Sequence, residues 1–418
     1  MKRKRLALLF GAGLVLLLLL ALTLRLLLQP ERVAGFVLDS LGKSLGLELT
    51  ATGTSEYRLR GTPMLVVRDV VAREPGAATP LLRAQRVYVS VPWSTVRSRG
   101  ETLDITRIEL DAPVLDLPAL QHWLASRPPG ETRMPTLADG LHLKDGRVAG
   151  DGWSVDGLVI SLPRLHPGQR IDARAAGRYR TYALSLQFDV AMAMTKPAND
   201  AGFAIVGPVT ASSGQWRLPA RLKLSAPLHF GDDGIRSSRL RASASGRYEA
   251  SGTRLPFVLA ITSPLQFREG TLALAPARIA LRGEGVVPVL DASGAVAYGK
   301  RLLLRLDGRL ADWPGAWPAL PPPIGASDSP LPFALDYLGR GDFSDVAALR
   351  LQRDDTRFDA RLRVPDISAW ISGAADGSPL PPLSGHLATP RIDISGAQLE
   401  GVEVDFDEPS LPADKDAP

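Results

Sequence analysis

The chain's five histidines, His122, His142, His166, His229 and His386, are its most versatile candidates for chemistry, and their spacing removes most of that chemistry. A zinc hydrolase of the common type needs two histidines four residues apart with a glutamate between them, and no two of these stand that close. Thiolate-held zinc is excluded, because the chain has no cysteine. Two acidic doublets, Asp232-Asp233 and Asp354-Asp355, lie next to turns. Paired carboxylates hydrolyse glycosides when they face each other across a scissile bond; adjacent loop acids are solvated. Seven Asp-Gly pairs, beginning at Asp139, Asp145, Asp151, Asp156, Asp233, Asp307 and Asp376, lack the further acids of a calcium loop. They read instead as hairpin turns needing positive φ. The chain also lacks a nucleophile elbow, a phosphate-binding loop and a dinucleotide fingerprint. The expectation is a protein that is not an enzyme, with no catalytic, cofactor-binding or metal residues and no cofactor. An envelope hydrolase assembled from distant residues is the weakest of three readings.

The elements that would position any function are written in period two, the signature of strands with one apolar and one polar face. Leu184, Leu186, Phe188 and Val190 alternate with Ser185, Gln187 and Asp189. Leu222 and Leu224 stand between Arg221, Lys223 and Ser225; Phe358, Ala360 and Leu362 between Arg357, Asp359 and Arg361. Val402, Val404 and Phe406 alternate with Glu403 and Asp405, and Val87 and Val89 do the same near the start. Strands apolar on one face only argue against a helix-sandwiched parallel sheet. The predicted fold class is mainly β: a mostly antiparallel, elongated, curled sheet with a few short helices. Helices are expected over 30–46, Leu117–Ala125 and 366–371. Leu184, Leu186, Phe188, Leu222, Leu224, Phe358, Leu362, Val402 and Val404 are the side chains expected to line an apolar groove.

The start of the chain is different. Lys2, Arg3, Lys4 and Arg5 precede an uncharged apolar run over 6–24, and three more leucines follow Arg25. At 1.5 Å per helical residue the run is about 28 Å long, near the thickness of bilayer hydrocarbon. The cations place the N-terminus in the cytoplasm and the body across the membrane. A cleaved signal peptide is the rival reading, but its apolar core is shorter and ends in a small-residue cleavage site. Of 418 residues, 45% are hydrophobic and 22% charged, so the body is ordered. The net charge of +5 comes without a basic run interleaved with aromatics, so no nucleic-acid partner is expected.

A repeat recurs about 245 residues apart. Pro118 precedes Trp123-Leu124 as Pro365 precedes Trp370-Ile371. Each pair leads through a Pro/Gly-rich connector, 126–135 and 372–382, to related phrases, Val155-Asp156-Gly157-Leu158-Val159 and Leu399-Glu400-Gly401-Val402-Glu403. A duplicated supersecondary unit suits an elongated sheet grown by stacking. The organisation expected is a cytoplasmic stub and anchor at 1–29, an N-terminal module at 30–125, a central β-groove at 136–311, a proline-rich connector at 312–332, a C-terminal β segment at 333–407 and an acidic tail at 408–418.

The stretch from Leu65-Val66-Val67-Arg68-Asp69-Val70 through Arg83-Ala84-Gln85-Arg86-Val87-Tyr88-Val89 to Ile108-Glu109-Leu110-Asp111-Ala112-Pro113-Val114 and Trp123-Leu124, just after an anchor, resembles the AsmA family of bacterial envelope proteins. Ile392-Asp393-Ile394-Ser395-Gly396 and Leu399-Glu400-Gly401 look like that family's closing strands. The resemblance covers roughly the first 125 residues and the end; the centre matches in style. It implies a single-pass inner-membrane anchor, a periplasmic body built as a repeating β-groove, and lipid transport in outer membrane biogenesis. The partners it implies are the inner-membrane lipid bilayer, phospholipid and other envelope proteins at the distal end. The physics agrees: exposing an acyl chain to water costs about 0.8 kcal/mol per methylene, and an apolar groove removes that cost without catalysis. The alternative is a membrane-anchored scaffold of a secretion or assembly complex with a closed, dry β core.

Overall fold

The computed structural model describes residues 35, 38–39, 42–43, 45–97, 104–126, 136–214, 216–231, 233–250, 252–317, 320, 324–327, 329–373, 381–394 and 397–412. The anchor expected over 6–28 lies outside them. Among the described residues no helix is long and apolar enough to cross a membrane. Gly35, Leu38, Asp39, Gly42, Lys43 and Leu45, within the helix expected over 30–46, are helical.

Two compact units divide the chain after Tyr182. The first contains β1 (Glu48–Ala51), β2 (Glu56–Arg58), β3 (Met64–Arg73), β4 (Leu82–Ser90), α1 (Trp93–Arg97), β5 (Asp104–Ile105) and β6 (Arg107–Asp111). It continues with β7 (Val114–Asp116), α2 (Leu117–Ala125), β8 (Thr136–Leu137), β9 (Leu141–Ala149), β10 (Trp153–Leu162) and β11 (Ile171–Thr181). Helix α2 starts as its sequence dictates: the Asp116 carboxylate accepts the Ala119 N–H at 2.9 Å, and Pro118 occupies the first turn. Most pairings are antiparallel, but β9 runs parallel to β6 and β7, and β5 parallel to β8. A parallel return needs a crossover, and α2 lies in it. The pairing of β9 with β6 and β7 joins the start of the expected central groove at 136–311 to the N-terminal strands. The unit's core gathers on Val67 and Val70, with Leu38, Ala51, Leu65 and Val87 against them.

The second unit is a meander in which each strand pairs antiparallel with the next. Its strands are β12 (Ser185–Met194), β13 (Asp200–Ser213), β14 (Trp216–Gly231), β15 (Gly234–Ala250), β16 (Thr253–Arg268), β17 (Thr271–Gly283) and β18 (Leu290–Tyr298), then β19 (Leu302–Leu310) and β20 (Leu331–Gly339). After them come β21 (Ala347–Arg353), β22 (Thr356–Leu362), α3 (Val364–Gly373), β23 (Leu383–Ile394) and β24 (Ala397–Phe406). Its buried core lies toward the C-terminal strands, around Leu310, Ile324, Leu331, Leu351, Phe358, Ala360 and Leu387.

The Asp-Gly pairs behave less uniformly than expected. Gly152 and Gly234 do turn hairpins at positive φ. Asp145-Gly146, Asp156-Gly157 and Asp307-Gly308 instead lie inside β9, β10 and β19. Gly157 and Gly401 both adopt positive φ, 58° and 62°, at matching places in the two related phrases. The strand, helix and hairpin order of β7, α2, β9 and β10 likewise recurs in β22, α3, β23 and β24.

Candidate functional site

Residues directly opposite each other in an antiparallel pair share a face, so the registers of the second unit trace its faces from strand to strand. One cross-strand row begins Met192, Ile205, Leu224, Ala242, Ile261 and Ile279 on β12–β17. It continues through Ala292, Gly308, Phe333, Leu351, Phe358, Leu387 and Val404 on β18–β24. Thirteen strands thus contribute one residue each, every one apolar or glycine. At about 4.8 Å per strand the row follows the sheet for roughly 58 Å.

Leu224, Phe358 and Val404 stand in this row. Leu222 follows in the neighbouring row, which leads through Ala244, Leu259, Leu281 and Leu290 to Leu310. Leu186 and Phe188 pair with Ala211 and Val209, Leu362 with Ala347 and Leu383, and Val402 with Thr389, all on the same face. Leu184 is half-buried just ahead of β12. The face also includes Met192, Ile205, Leu259, Ile261, Ile279 and Leu281, which the sequence reading did not single out. Their alternation was the available signal, but Ala242, Ala244 and Gly246 in the intervening strand dilute it.

The face has two regimes. Over β12–β17 its large side chains are mostly half-buried, and among the described residues the elements in most extensive contact with β13–β17 are their sheet neighbours. Four successive strand pairs carry a register break at a similar level, between Ser225 and His229, Ser237 and Leu240, Thr262 and Leu265, and Leu274 and Ala277. Such bulges bend a strand. Ser263 and Ala277, small residues on the apolar face at these breaks, are 2% and 0% exposed.

Toward the C-terminal end the face is covered by the chain itself. Trp313, Leu320 and Ile324, from the proline-rich crossover before β20, pack with Leu351, Phe358 and Leu387. The two tryptophans of the crossover, Trp313 and Trp317, meet edge to face at 4.8 Å, and Trp317 donates to the Val286 carbonyl at 3.0 Å. The buried Arg353 guanidinium donates to the carbonyls of Ile324, at 2.8 Å, and Ser327. Phe358, one of the expected groove residues, is therefore in a closed core, and Val404 packs against that core.

The opposite face is charged. A cavity of about 620 Å³ on that side is bordered by Thr262, Arg278, Asp291, Asp307 and Arg309. Arg282 holds Asp291 through two contacts of 2.8 and 3.0 Å.

Several titratable groups among the described residues form surface pairs. His122 meets Glu74 at 2.9 Å, His229 meets Asp200 at 2.8 Å and His386 meets Asp405 at 2.8 Å. The hydrogen bond to Asp405 raises the His386 pKa above its ordinary value. In the first unit Arg86 bridges Glu109 and Asp111 at 2.9 and 3.0 Å. Burial pushes the Glu109 carboxyl up, but Arg86 and Arg107 outweigh it and hold the pKa below the usual carboxylate value. Asp156 is shifted the same way, burial opposing and Arg180, Ser154 and Arg147 prevailing. Among the described residues no group of three histidine, cysteine or acidic side chains could hold a metal ion. Asp354 lies in the β21–β22 turn and accepts the Ser329 hydroxyl at 3.2 Å.

Protein-family models, curated proteins and solved structures were each compared with this chain, and none matches it.

Proposed function

We propose that this chain is a non-enzymatic lipid-binding and transfer protein, anchored in the inner membrane by its N-terminal segment, with its β body in the periplasm. Acyl chains lie along the apolar face of β12–β18 while headgroups stay in solvent, in the manner of the AsmA family it resembles, and the activity supports outer-membrane assembly. The observation that carries this reading is the uninterrupted apolar row from Met192 to Ile279, half-buried and outside the closed core that the described residues form around Phe358. Soluble proteins seldom leave a contiguous apolar surface of this kind without something to cover it. A tail of sixteen carbons gains on the order of 10 kcal/mol by leaving water, enough to hold a lipid without any polar recognition. The crossover packed over the C-terminal strands then acts as a built-in stop at one end of the face.

The closed core around Phe358 favours a second reading, a membrane-anchored scaffold of a secretion or assembly complex. One experiment separates them. A photo-reactive benzoylphenylalanine is placed at position 224 or 223 of the full chain in living cells, and adducts are analysed by mass spectrometry. Phospholipid adducts at 224 with few at 223 support transfer. Protein adducts at both positions, with no lipid at 224, support the scaffold and overturn the lipid reading.

A further inference from the structure

The polar face of the second unit is not uniformly charged. On β14–β17, Arg217, Arg221, Lys223, Arg241, Arg254 and Arg278 all fall on it by register. All six are exposed, and none has an ion-pair or side-chain hydrogen-bond partner among the described residues. Glu249, the acid that shares this region, turns to Arg247 at 3.9 Å. Beyond β17 the same face changes character. Asp291, Asp307, Asp336, Asp359 and Asp405 enter it by register, and Asp336 lies 3.1 Å from Arg305 and 3.7 Å from Arg350. The cationic excess is thus confined to four strands.

From Arg217 to the level of Arg241 is eight residues along the sheet, about 26 Å, and β14 to β17 spans about 14 Å. Six cations spread so widely cannot converge on one small anion. Most are separated by more than the screening length of about 8 Å at physiological salt, so each acts on its own counter-charge. Exposed valines lie among them: Val206 opposite Lys223, and Val258 opposite Ser245 beside Arg221, 38% and 49% exposed. Dispersed cations with apolar side chains between them match a layer of phosphates above hydrocarbon. A purely aqueous polyanion has no use for the valines.

We propose that the polar face of β14–β17 is a docking surface for an anionic phospholipid bilayer, separate from the apolar face and independent of what that face carries. Each cation brought to such a surface multiplies affinity by about fivefold.

The absence of native cysteine allows a direct test. Ser245→Cys, on this face, or Ala348→Cys, on the same face of β21, is labelled with a polarity-sensitive fluorophore in the full chain, which is held in phosphatidylcholine nanodiscs. Vesicles of phosphatidylcholine, with or without phosphatidylglycerol, are then added. The Ser245 label is expected to shift to shorter wavelength only with phosphatidylglycerol, with a midpoint that weakens as salt rises, while the Ala348 label is unmoved. Arg221→Gln, Lys223→Gln, Arg241→Gln and Arg278→Gln combined should weaken that midpoint by more than about a hundredfold. Their exposure and lack of partners predict an unchanged melting temperature. Equal responses to both vesicle types, a response that survives the four substitutions, or a Ser245 shift with polyglutamate but not with vesicles would each overturn the proposal.

Discussion

Leu224 and Phe358 stand in one cross-strand row, eight strands apart, and live in opposite environments. Leu224 is half-buried and lies outside the closed core of the described residues, whereas Phe358 is 7% exposed beneath the crossover and meets Phe406 edge to face at 6.2 Å. Truncating Phe358 opens a cavity that the covered core cannot refill. Phe358→Ala should therefore cost about 3–5 kcal/mol. Leu224→Ala removes a side chain that water already touches and should cost about 1 kcal/mol. Denaturant unfolding of the two variants checks the difference; equal losses would mean that the face is packed alike at both ends.

Arg353 ties the crossover to β21 through backbone carbonyls. Its guanidinium donates to the Ile324 and Ser327 carbonyls, and its Nε is buried with no partner among the described residues. Replacing Arg353 with Ala removes hydrogen bonds from a charged donor, an expected loss of about 1.5–3 kcal/mol, and unties the segment that covers Phe358. The variant should be cleaved within residues 312–332 by a protease dilute enough to spare the parent. Arg353→Lys keeps the charge but sets its donor nitrogen on a different stem from the Nη1 that makes both bonds, and should lie between them.

The fold was legible where alternation was strong. Leu186, Phe188, Leu222, Leu224, Phe358, Leu362, Val402 and Val404 share one face because period two ties each to its strand, and antiparallel pairing carries that face across the sheet. What period two does not encode is the layer above. Phe358 and Leu224 have the same local pattern, and only the path of the crossover, set by Ile324 and Arg353, separates a covered residue from an uncovered one. The parallel pairing of β9 with β6 and β7 was hidden for a related reason: its partners are distant in sequence, and the intervening α2 and connector carry no mark of where they return. The Asp-Gly pairs misled where a glycine lies inside a strand, as Gly146, Gly157 and Gly308 do; that dipeptide serves bulges and close approaches as readily as turns.

His386 gives the β23–β24 hairpin a pH dependence of defined sign. Its folded pKa is raised above all by the hydrogen bond to Asp405; desolvation opposes it, and the charges of Asp405, Glu403 and Asp359 add to the rise. A raised histidine pKa stabilises the fold fully below the unfolded value of about 6.5, and the contribution is lost as pH rises through the folded midpoint. Asp405→Asn should move the His386 midpoint back toward its ordinary value, followed by the imidazole proton shifts in an NMR titration. An unmoved midpoint would show that the 2.8 Å contact does not set it.

Gly246 shows how tightly the strands of the apolar face approach one another. It lies opposite Ala220 on β14 and Phe257 on β16, and a Cβ added there would run into the Pro219 carbonyl oxygen and the Ala220 Cα. Backbone cannot swing aside as a side-chain tip can, so the two strands must part or the substituted residue must distort. Gly246→Ala is expected to destabilise by about 1–3 kcal/mol, even though alanine is no worse a strand residue than glycine. Gly315→Ala, where an added Cβ meets nothing within 4 Å, is the control and should stay within about 0.5 kcal/mol of the parent. Thermal unfolding of the two variants measures the difference. A neutral Gly246→Ala would mean that β14 and β15 can separate at this point without loss, and the close strand spacing there would carry no structural weight.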